Sequence, residues 1–147
     1  MNRANTEKVI RVMNGVVAGT SAQTSSAIDM KGFDGVKIYS AFGAITSGAA
    51  TSVKIQQASD DASADAYADL LGTSVTVADD DDNQVVVHDI YRPRERYLKV
   101  VISRATQNAV IDGIIAVLYG AIKQPTTDDT TTVVSRETHV SPAEGTA

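Results

Sequence analysis

The sequence predicts an all-β fold: one β-sandwich or jelly-roll-like domain with extended N- and C-terminal arms. The first observation is the segment Gln84–Gly120, where three runs rich in Val, Ile and Tyr follow one another. Such β-branched and aromatic residues are enriched in strands. Secondly, turn residues recur between short alternating segments and divide the chain into about eight strands, which is typical of a sandwich. Thirdly, no segment shows the apolar spacing of a long amphipathic helix.

The N-terminal strands are predicted from alternation and turn residues. A strand over 8–18 is interrupted by Asn14-Gly15, a two-residue turn signal that favours a short hairpin. Small polar residues make 19–26 a loop, and 27–30 is a short strand. The two glycines in 31–35 then predict a turn.

The next two strands alternate clearly. They span 36–45 and 51–58, and the small residues 46–50 connect them. In 36–45, Val36, Ile38 and Phe42 are predicted on one face and Lys37, Tyr39 and Ala41 on the other. In 51–58, Val53 and Ile55 are predicted to point inward and Lys54 and Gln56 outward.

The middle of the chain is less regular. The Ala- and Asp-rich segment 59–71 predicts one or two helical turns between Ser63 and Leu70. A short strand over 73–77 and an acidic turn over 79–83 follow. The three runs up to Gly120 complete the strands.

Composition changes after Gly120, where the chain becomes rich in Thr and Asp and poor in large apolar residues. The predicted organisation is an N-terminal arm (1–7), a sandwich domain (8–120) and an extended C-terminal arm (121–147). Both termini are expected to be protease-sensitive in the free protein, and residues 124–147 can reach about 80 Å when extended. The residues expected to anchor this arm on a neighbouring subunit are Val133, Val134 and Val140.

The third run, Ala109–Tyr119, is apolar on both sides if its residues alternate strictly. One side would carry Ala109, Ile111, Gly113, Ile115, Val117 and Tyr119, and the other Val110, Asp112, Ile114, Ala116 and Leu118. A strand that covers only its own core alternates apolar with polar residues. The second cover is therefore either the loops of this chain or another subunit. The residues predicted for such a subunit contact are Ile111, Ile114, Ile115 and Leu118.

Charge and composition limit the function. The 147 residues carry a net charge of −5 and include no Cys. An acidic chain lacks the basic face that nucleic-acid binding needs, so no nucleic-acid partner is expected. No disulfide or thiol chemistry is available. The sequence shows neither a signal-peptide h-region nor an apolar run long enough to span a bilayer, so no membrane partner is expected.

No catalytic, metal or cofactor site is predicted. The carboxylates of Asp79–Asp82 are consecutive and lack the alternation of a loop that wraps a cation, which favours a solvated loop over a cation site shared with a neighbour. His88 and Asp89 are adjacent in a predicted strand and therefore point to opposite faces. With two His, no Cys and no GxSxG motif, the sequence is not that of a hydrolase.

The densest charge cluster is Arg92-Pro93-Arg94-Glu95-Arg96, which we call the arginine corner. Pro93 cannot donate to a β-ladder, so the cluster is predicted to lie between strands. Either Arg94 or Arg96 pairs with Glu95 or a nearby Asp, or the arginines meet carboxylates of a partner, for which a guanidinium is well suited.

Five tyrosines leave a second function class open. They could form a platform on which sugar rings stack, although such platforms usually include Trp, which is absent. The other interpretation is that they are core-edge residues with solvated hydroxyls. The tyrosines are Tyr39, Tyr67, Tyr91, Tyr97 and Tyr119.

Three blocks carry a resemblance to a known family: Ser25–Thr46, the run IYRPRERYLKVVI at 90–102, and the closing ETHVSPAEGTA at 137–147. They resemble head decoration (cement) proteins of tailed bacteriophages and prophages, encoded beside the major capsid protein. The resemblance implies a structural virion protein that assembles in the host cytoplasm and binds the outer surface of the capsid. The implied partners are the major capsid protein and further copies of the chain, as a dimer or trimer. The alternative function is a carbohydrate-binding β-sandwich on the virion surface.

Overall fold

The computed structural model describes residues 5–62 and 64–146 and consists of two antiparallel β-sheets packed face to face. The predicted all-β sandwich is confirmed. No α-helix occurs in the described residues, so the helical turns predicted up to Leu70 do not form there, and Ser63 itself lies outside them. Residues 1–4 of the predicted N-terminal arm also lie outside them.

Eleven strands are present in the described residues, compared with about eight predicted. The difference comes mainly from two-residue strands that are too short to leave a pattern in the sequence. The strands are β1 (Lys8–Met13), β2 (Val16–Gly19), β3 (Gln23–Thr24), β4 (Ile28–Asp29), β5 (Gly35–Ile45), β6 (Ala50–Ala58), β7 (Ala68–Asp69), β8 (Val75–Val77), β9 (Val85–Tyr91), β10 (Tyr97–Ala105) and β11 (Ala109–Tyr119).

Each sheet is built around one pair of long strands. In sheet A the order is β1-β11-β5-β9, and β2 pairs with β11 beside β1. In sheet B the order is β3-β10-β6-β7, with β4 also pairing with β10 and β8 with β6. Strand β9 therefore forms one edge of sheet A, and β1 and β2 form the other.

The core lies between the sheets and is almost entirely aliphatic. In β6 the residues predicted to point inward are buried there, and those predicted to point outward are not. In β5 one predicted face, with Val36, Ile38 and Phe42, is buried, and the face with Lys37, Tyr39 and Ala41 is not. Aliphatic packing of this kind is the main source of folding free energy in such a domain. The fully buried core side chains with the largest volumes are Phe42, Ile28, Ile38, Ile55, Leu98, Ile102, Ile111, Ile114, Leu118, Val36, Val53 and Val100.

A β-bulge in β11 corrects the predicted faces of that strand. Its register with β5 shifts between Ile111 and Gly113, and Gly113 has a φ of 136°. An extra residue in a strand reverses the alternation beyond it. Ile114 is therefore buried like Ile111, and Ile115 points outward. Strict alternation had placed Ile115 on the same face as Ile111.

One charged side chain, Arg104, lies in the interior with 5% of its surface exposed. Its guanidinium donates hydrogen bonds to the carbonyl oxygens of Ser21 (2.8 Å), Val17 (3.0 Å) and Ala109 (2.7 Å). These acceptors belong to β2, the loop after it and the start of β11. Arg104 therefore joins β10 of sheet B to the corner of sheet A.

The C-terminal segment is partly docked on the β1 edge of sheet A. The backbone N–H of Val9 donates to the Asp128 carboxylate (2.7 Å), and the N–H of Arg11 donates to the Thr132 hydroxyl (3.1 Å). Asp128 also forms an ion pair with Arg136 at 2.6 Å. Side chains here take the place of a paired strand. Within the predicted C-terminal arm, the segment from Asp128 to Arg136 therefore makes contacts at the β1 edge of its own domain.

Replacement of Asp128 by alanine should release this docked segment. The change removes the acceptor for the Val9 N–H and one partner of Arg136, which costs about 1–2 kcal/mol. Tryptic cleavage after Lys123, monitored by mass spectrometry, should therefore accelerate about 5- to 30-fold. Glu137→Ala is the control, because within the described part of the chain that carboxylate pairs with His139 and not with the β1 edge. Equal acceleration in both variants would contradict docking through Asp128.

Candidate interaction surface

The outer face of sheet B is polar and its charges are satisfied within the chain. Lys54 pairs with Asp69 at 2.6 Å, and Lys99 pairs with Asp61 at 3.0 Å. The Lys99 ammonium also lies 4.1 Å from the centre of the Tyr67 ring. This face has the character of an ordinary solvated sheet surface.

The outer face of sheet A is apolar across three strands. One cross-strand row joins Val87 of β9, Tyr39 of β5 and Ile115 of β11, whose exposed fractions are 54%, 37% and 45%. The neighbouring rows add Val85 beside Ala41, and Val117 beside Lys37. We call the following set the apolar face: Tyr39, Ala41, Val85, Val87, Ile115 and Val117. Contiguous exposed apolar residues of this kind mark interaction surfaces.

The docked C-terminal segment forms a wall beside the apolar face. Val133 and Val134 line, together with Val9 and Ile115, an open groove of about 660 Å³. Val134 is fully exposed at the rim. The groove therefore extends the apolar face towards the β1 edge.

A tyrosine closes the other end of the face. The Tyr119 ring lies over Gly35 so closely that an added Cβ would overlap the ring, so glycine is required for this close approach. Its hydroxyl donates to Asp89 at 2.6 Å. Burial, together with this hydrogen bond, raises the pKa of Tyr119 to about 12. The phenol is therefore neutral at physiological pH and remains a donor.

The arginine corner connects β9 to β10, and its three arginines differ in their contacts. Arg96 makes two 2.8 Å hydrogen bonds to the Asp29 carboxylate, and these hold the pKa of Asp29 below its usual value. Arg92 stacks on Tyr91, with its guanidinium 5.2 Å from the ring centre. Arg94 has no ion pair or hydrogen bond among the described residues. Arg96 therefore pairs with a nearby Asp of its own chain, and Arg92 and Arg94 remain available to a partner.

The acidic loop, Asp79–Asp82, is not simply solvated. Its carboxylates accept hydrogen bonds from the backbone N–H groups of Gly48 and Ile45, and Asp81 accepts one from Ala78. Asp80 is exposed and has no partner among the described residues. Throughout residues 5–62 and 64–146, no group of three or more His, Cys, Asp or Glu side chains is arranged to hold a metal ion.

His88 and Asp89 point to opposite sides of β9, as the sequence indicates. His88 is buried, and its Nε2 lies 2.8 Å from the carbonyl oxygen of Thr73. Asp89 is on the outer face beside Tyr119. The two side chains are therefore not arranged as an acid–base pair.

The structure separates the predicted contact residues into two groups. Ile111, Ile114 and Leu118 are fully enclosed by their own domain, so they are core residues and Ile115 alone of that strand's four is available to a partner. The residues at the surface are Arg92, Arg94, Arg96, Ile115, Val134 and Val140, and Val133 is half-buried.

Sequence reasoning missed that Tyr39, Val85 and Val87 belong to one surface. A signal was present, because three consecutive valines in β9 must place apolar side chains on both faces of the strand.

Among the described residues, no helix has the length and hydropathy needed to cross a membrane. No family model matches the sequence, and neither does any curated protein.

The chain also matches chains in solved structures. One is a chain of the disulfide-linked pili that form Bacillus endospore appendages, with 10% identity and a TM-score of 0.47 over 80% of this chain and 90% of that one. Another comes from infectious bursal disease virus, Gt strain, with 11% identity and a TM-score of 0.39 over 77% of this chain and 32% of that one.

Proposed function

We propose that this chain is a structural protein of a tailed-phage virion, which binds the outer surface of the capsid and stabilises it by bridging neighbouring subunits. The resemblance of Ser25–Thr46, of the block at 90–102 and of the closing residues 137–147 to head decoration proteins supports this assignment. The partner is then the major capsid protein. The net charge of −5 also suits an outer surface better than the inner wall of a DNA-filled shell.

The observation that carries the proposal is the contrast between the two outer faces of the sandwich. Sheet B presents lysines that pair with aspartates of the same chain, whereas sheet A presents Tyr39, Val87 and Ile115 in one exposed row. An enzyme would need convergent polar groups in a pocket, and the apolar face offers a broad hydrophobic surface instead.

Stabilisation would come from bridging. A copy that contacts two capsid subunits at once holds each at a high effective concentration relative to the other, so modest contacts resist expansion of the shell. The apolar face would supply one contact. The exposed residues after Arg136, which include Val140, would supply a second if they order on a neighbouring subunit.

The proposal is tested by adding purified protein to capsids that lack it and measuring occupancy by sedimentation. Tyr39→Asp and Ile115→Asp place a charge in the centre of the apolar face and should weaken binding about tenfold or more. Val75→Asp is the matched control, because Val75 is a partly exposed valine at the edge of sheet B. Full occupancy by both face variants would refute docking through this face.

A carbohydrate-binding module is the second candidate. Tyr39 and Tyr119 line one hollow together with Lys37 and Asp89, which combines aromatic rings with polar groups that could bind sugar hydroxyls. A glycan array separates the two functions. Glycan binding that is lost in Tyr39→Ala, together with no binding to capsids, would favour this alternative.

A further inference from the structure

Strand β9 presents an unpaired backbone edge. Its ladder with β5 includes the bond from Phe42 N–H to the Gln84 oxygen and is followed by the bond from Arg92 N–H to the Asp34 oxygen. Because the direction of the backbone N–H and C=O groups alternates along a strand, the even-numbered residues of β9 direct these groups towards β5. The odd-numbered residues 85–91 therefore direct their N–H and C=O groups away from the sheet. Within the described residues, β5 is the only strand that pairs with β9.

The two edges of sheet A differ in whether another segment of the chain covers them. The β1 edge is covered by the docked C-terminal segment, in which Asp128 and Thr132 accept its N–H groups. The β9 edge has no such cover in the described part of the chain, and β9 contains no Lys, Pro or bulge, which commonly protect exposed edges. An edge of this kind is suited to pairing with another strand.

We propose that β9 pairs with β9 of a second copy, antiparallel across a two-fold axis, so that two A sheets become one continuous sheet. The favoured register places Val85 opposite Tyr91 and Val87 opposite Asp89. It uses the whole strand and forms about eight backbone hydrogen bonds. It also pairs an aromatic with a β-branched residue, whereas a register centred on Asp89 would oppose two carboxylates.

The charges that flank β9 make this pairing self-complementary. The acidic loop Asp79–Asp82 precedes the strand, and the arginine corner follows it. Antiparallel pairing brings the acidic loop of each copy beside the arginine corner of the other, once at each end. Asp80 and Arg94, which have no partners among the described residues of their own chain, are the groups best able to form these contacts. A two-fold interface requires self-complementarity of this type.

Pairing would also join two apolar faces. Val85 and Val87 lie on the outer face next to the edge, so the rows through Tyr39 and Ile115 would continue into the second copy. The pairing involves the edge and not the face itself. It therefore does not depend on the proposed function and can be tested in the free protein.

The first test removes one edge donor. Val87→Pro deletes a backbone N–H that points away from the edge of the sheet, and it breaks no hydrogen bond to β5. The fold should therefore survive, as judged by circular dichroism. Sedimentation equilibrium over a concentration series should show dimers for the wild type and at least a tenfold weaker association for Val87→Pro. Val87→Thr is the matched control, because it keeps the N–H and the β-branched shape.

The second test exchanges the charges. Arg94→Glu should weaken dimerisation most strongly at low salt, and combining it with Asp80→Arg should restore it. Lys123→Glu changes the net charge equally on a residue outside both β9 and its flanking loops, and should have no effect.

Two results would overturn the proposal. One is a wild-type protein that remains monomeric at about 1 mM. The other is association that Ile115→Asp abolishes while Val87→Pro does not, because the copies would then meet through the apolar face. Capsid binding by a protein that does not dimerise would refute the proposed pairing of β9 and would leave the proposed function unaffected.

Discussion

Replacement of Ile114 by aspartate should abolish folding of this domain, whereas the same replacement at the next residue should leave it folded. Ile114 is fully buried between the sheets, and Ile115 is 45% exposed on the apolar face. A carboxylate in an aliphatic core has neither water nor a cation to stabilise it, and its burial costs more than about 5 kcal/mol. That is comparable to the whole stability of a typical small domain.

Chemical denaturation monitored by circular dichroism measures the free energy of unfolding of both variants. Ile114→Asp should show no cooperative transition, and Ile115→Asp should unfold within about 1 kcal/mol of the wild type. Ile114→Val, which removes one buried methylene, should cost only about 1 kcal/mol and shows that the site tolerates small apolar changes. The opposite ranking of the two aspartate variants would mean that β11 has no bulge at Gly113.

Replacement of Arg104 by alanine should destabilise the domain by about 3–4 kcal/mol. The guanidinium is a donor for three carbonyl oxygens, those of Val17, Ser21 and Ala109, and the replacement takes this donor away from all three. Each unsatisfied buried acceptor costs about 1–3 kcal/mol, partly offset where water can enter. The loss of stability should appear as faster local unfolding of the corner formed by β2 and the start of β11 than in the wild type.

Hydrogen exchange at β2 and β11 and the free energy of unfolding measure this effect. Arg104→Lys keeps the positive charge but lacks the planar fork, so it should recover only part of the stability. Arg96→Ala is the surface control, because the exposed pair with Asp29 contributes less than about 1 kcal/mol. A loss at Arg104 no larger than at Arg96 would show that the three carbonyls are satisfied without it.

The division of β5 and β6 into two faces could be predicted because alternation is a local property of a strand. Val36, Ile38 and Phe42 share one face as predicted, and the structure shows that this face is the buried one, whereas Lys37 and Tyr39 lie on the other. In β11 the same rule was wrong after Ile111. The bulge there depends on how β11 pairs with β5, and both partners shift register in the same region.

The candidate surface was only partly predictable, for a related reason. Arg92 and Arg94 could be recognised from their local sequence, but the pairing of Arg96 with Asp29 joins residues far apart in the chain. Likewise, Tyr39, Val87 and Ile115 form one row only because β9, β5 and β11 are neighbours in sheet A.

The sequence by itself determined that the chain is all-β, which residues of β5 and β6 share a strand face, and that its net charge is acidic, since these follow from residue types and their spacing. The tertiary structure alone decided which outer face is apolar, which edge of sheet A is covered and which arginines are free. Those properties depend on strand order and on contacts between distant segments, such as Asp128 with Val9. Spacing along the chain carries no information about either.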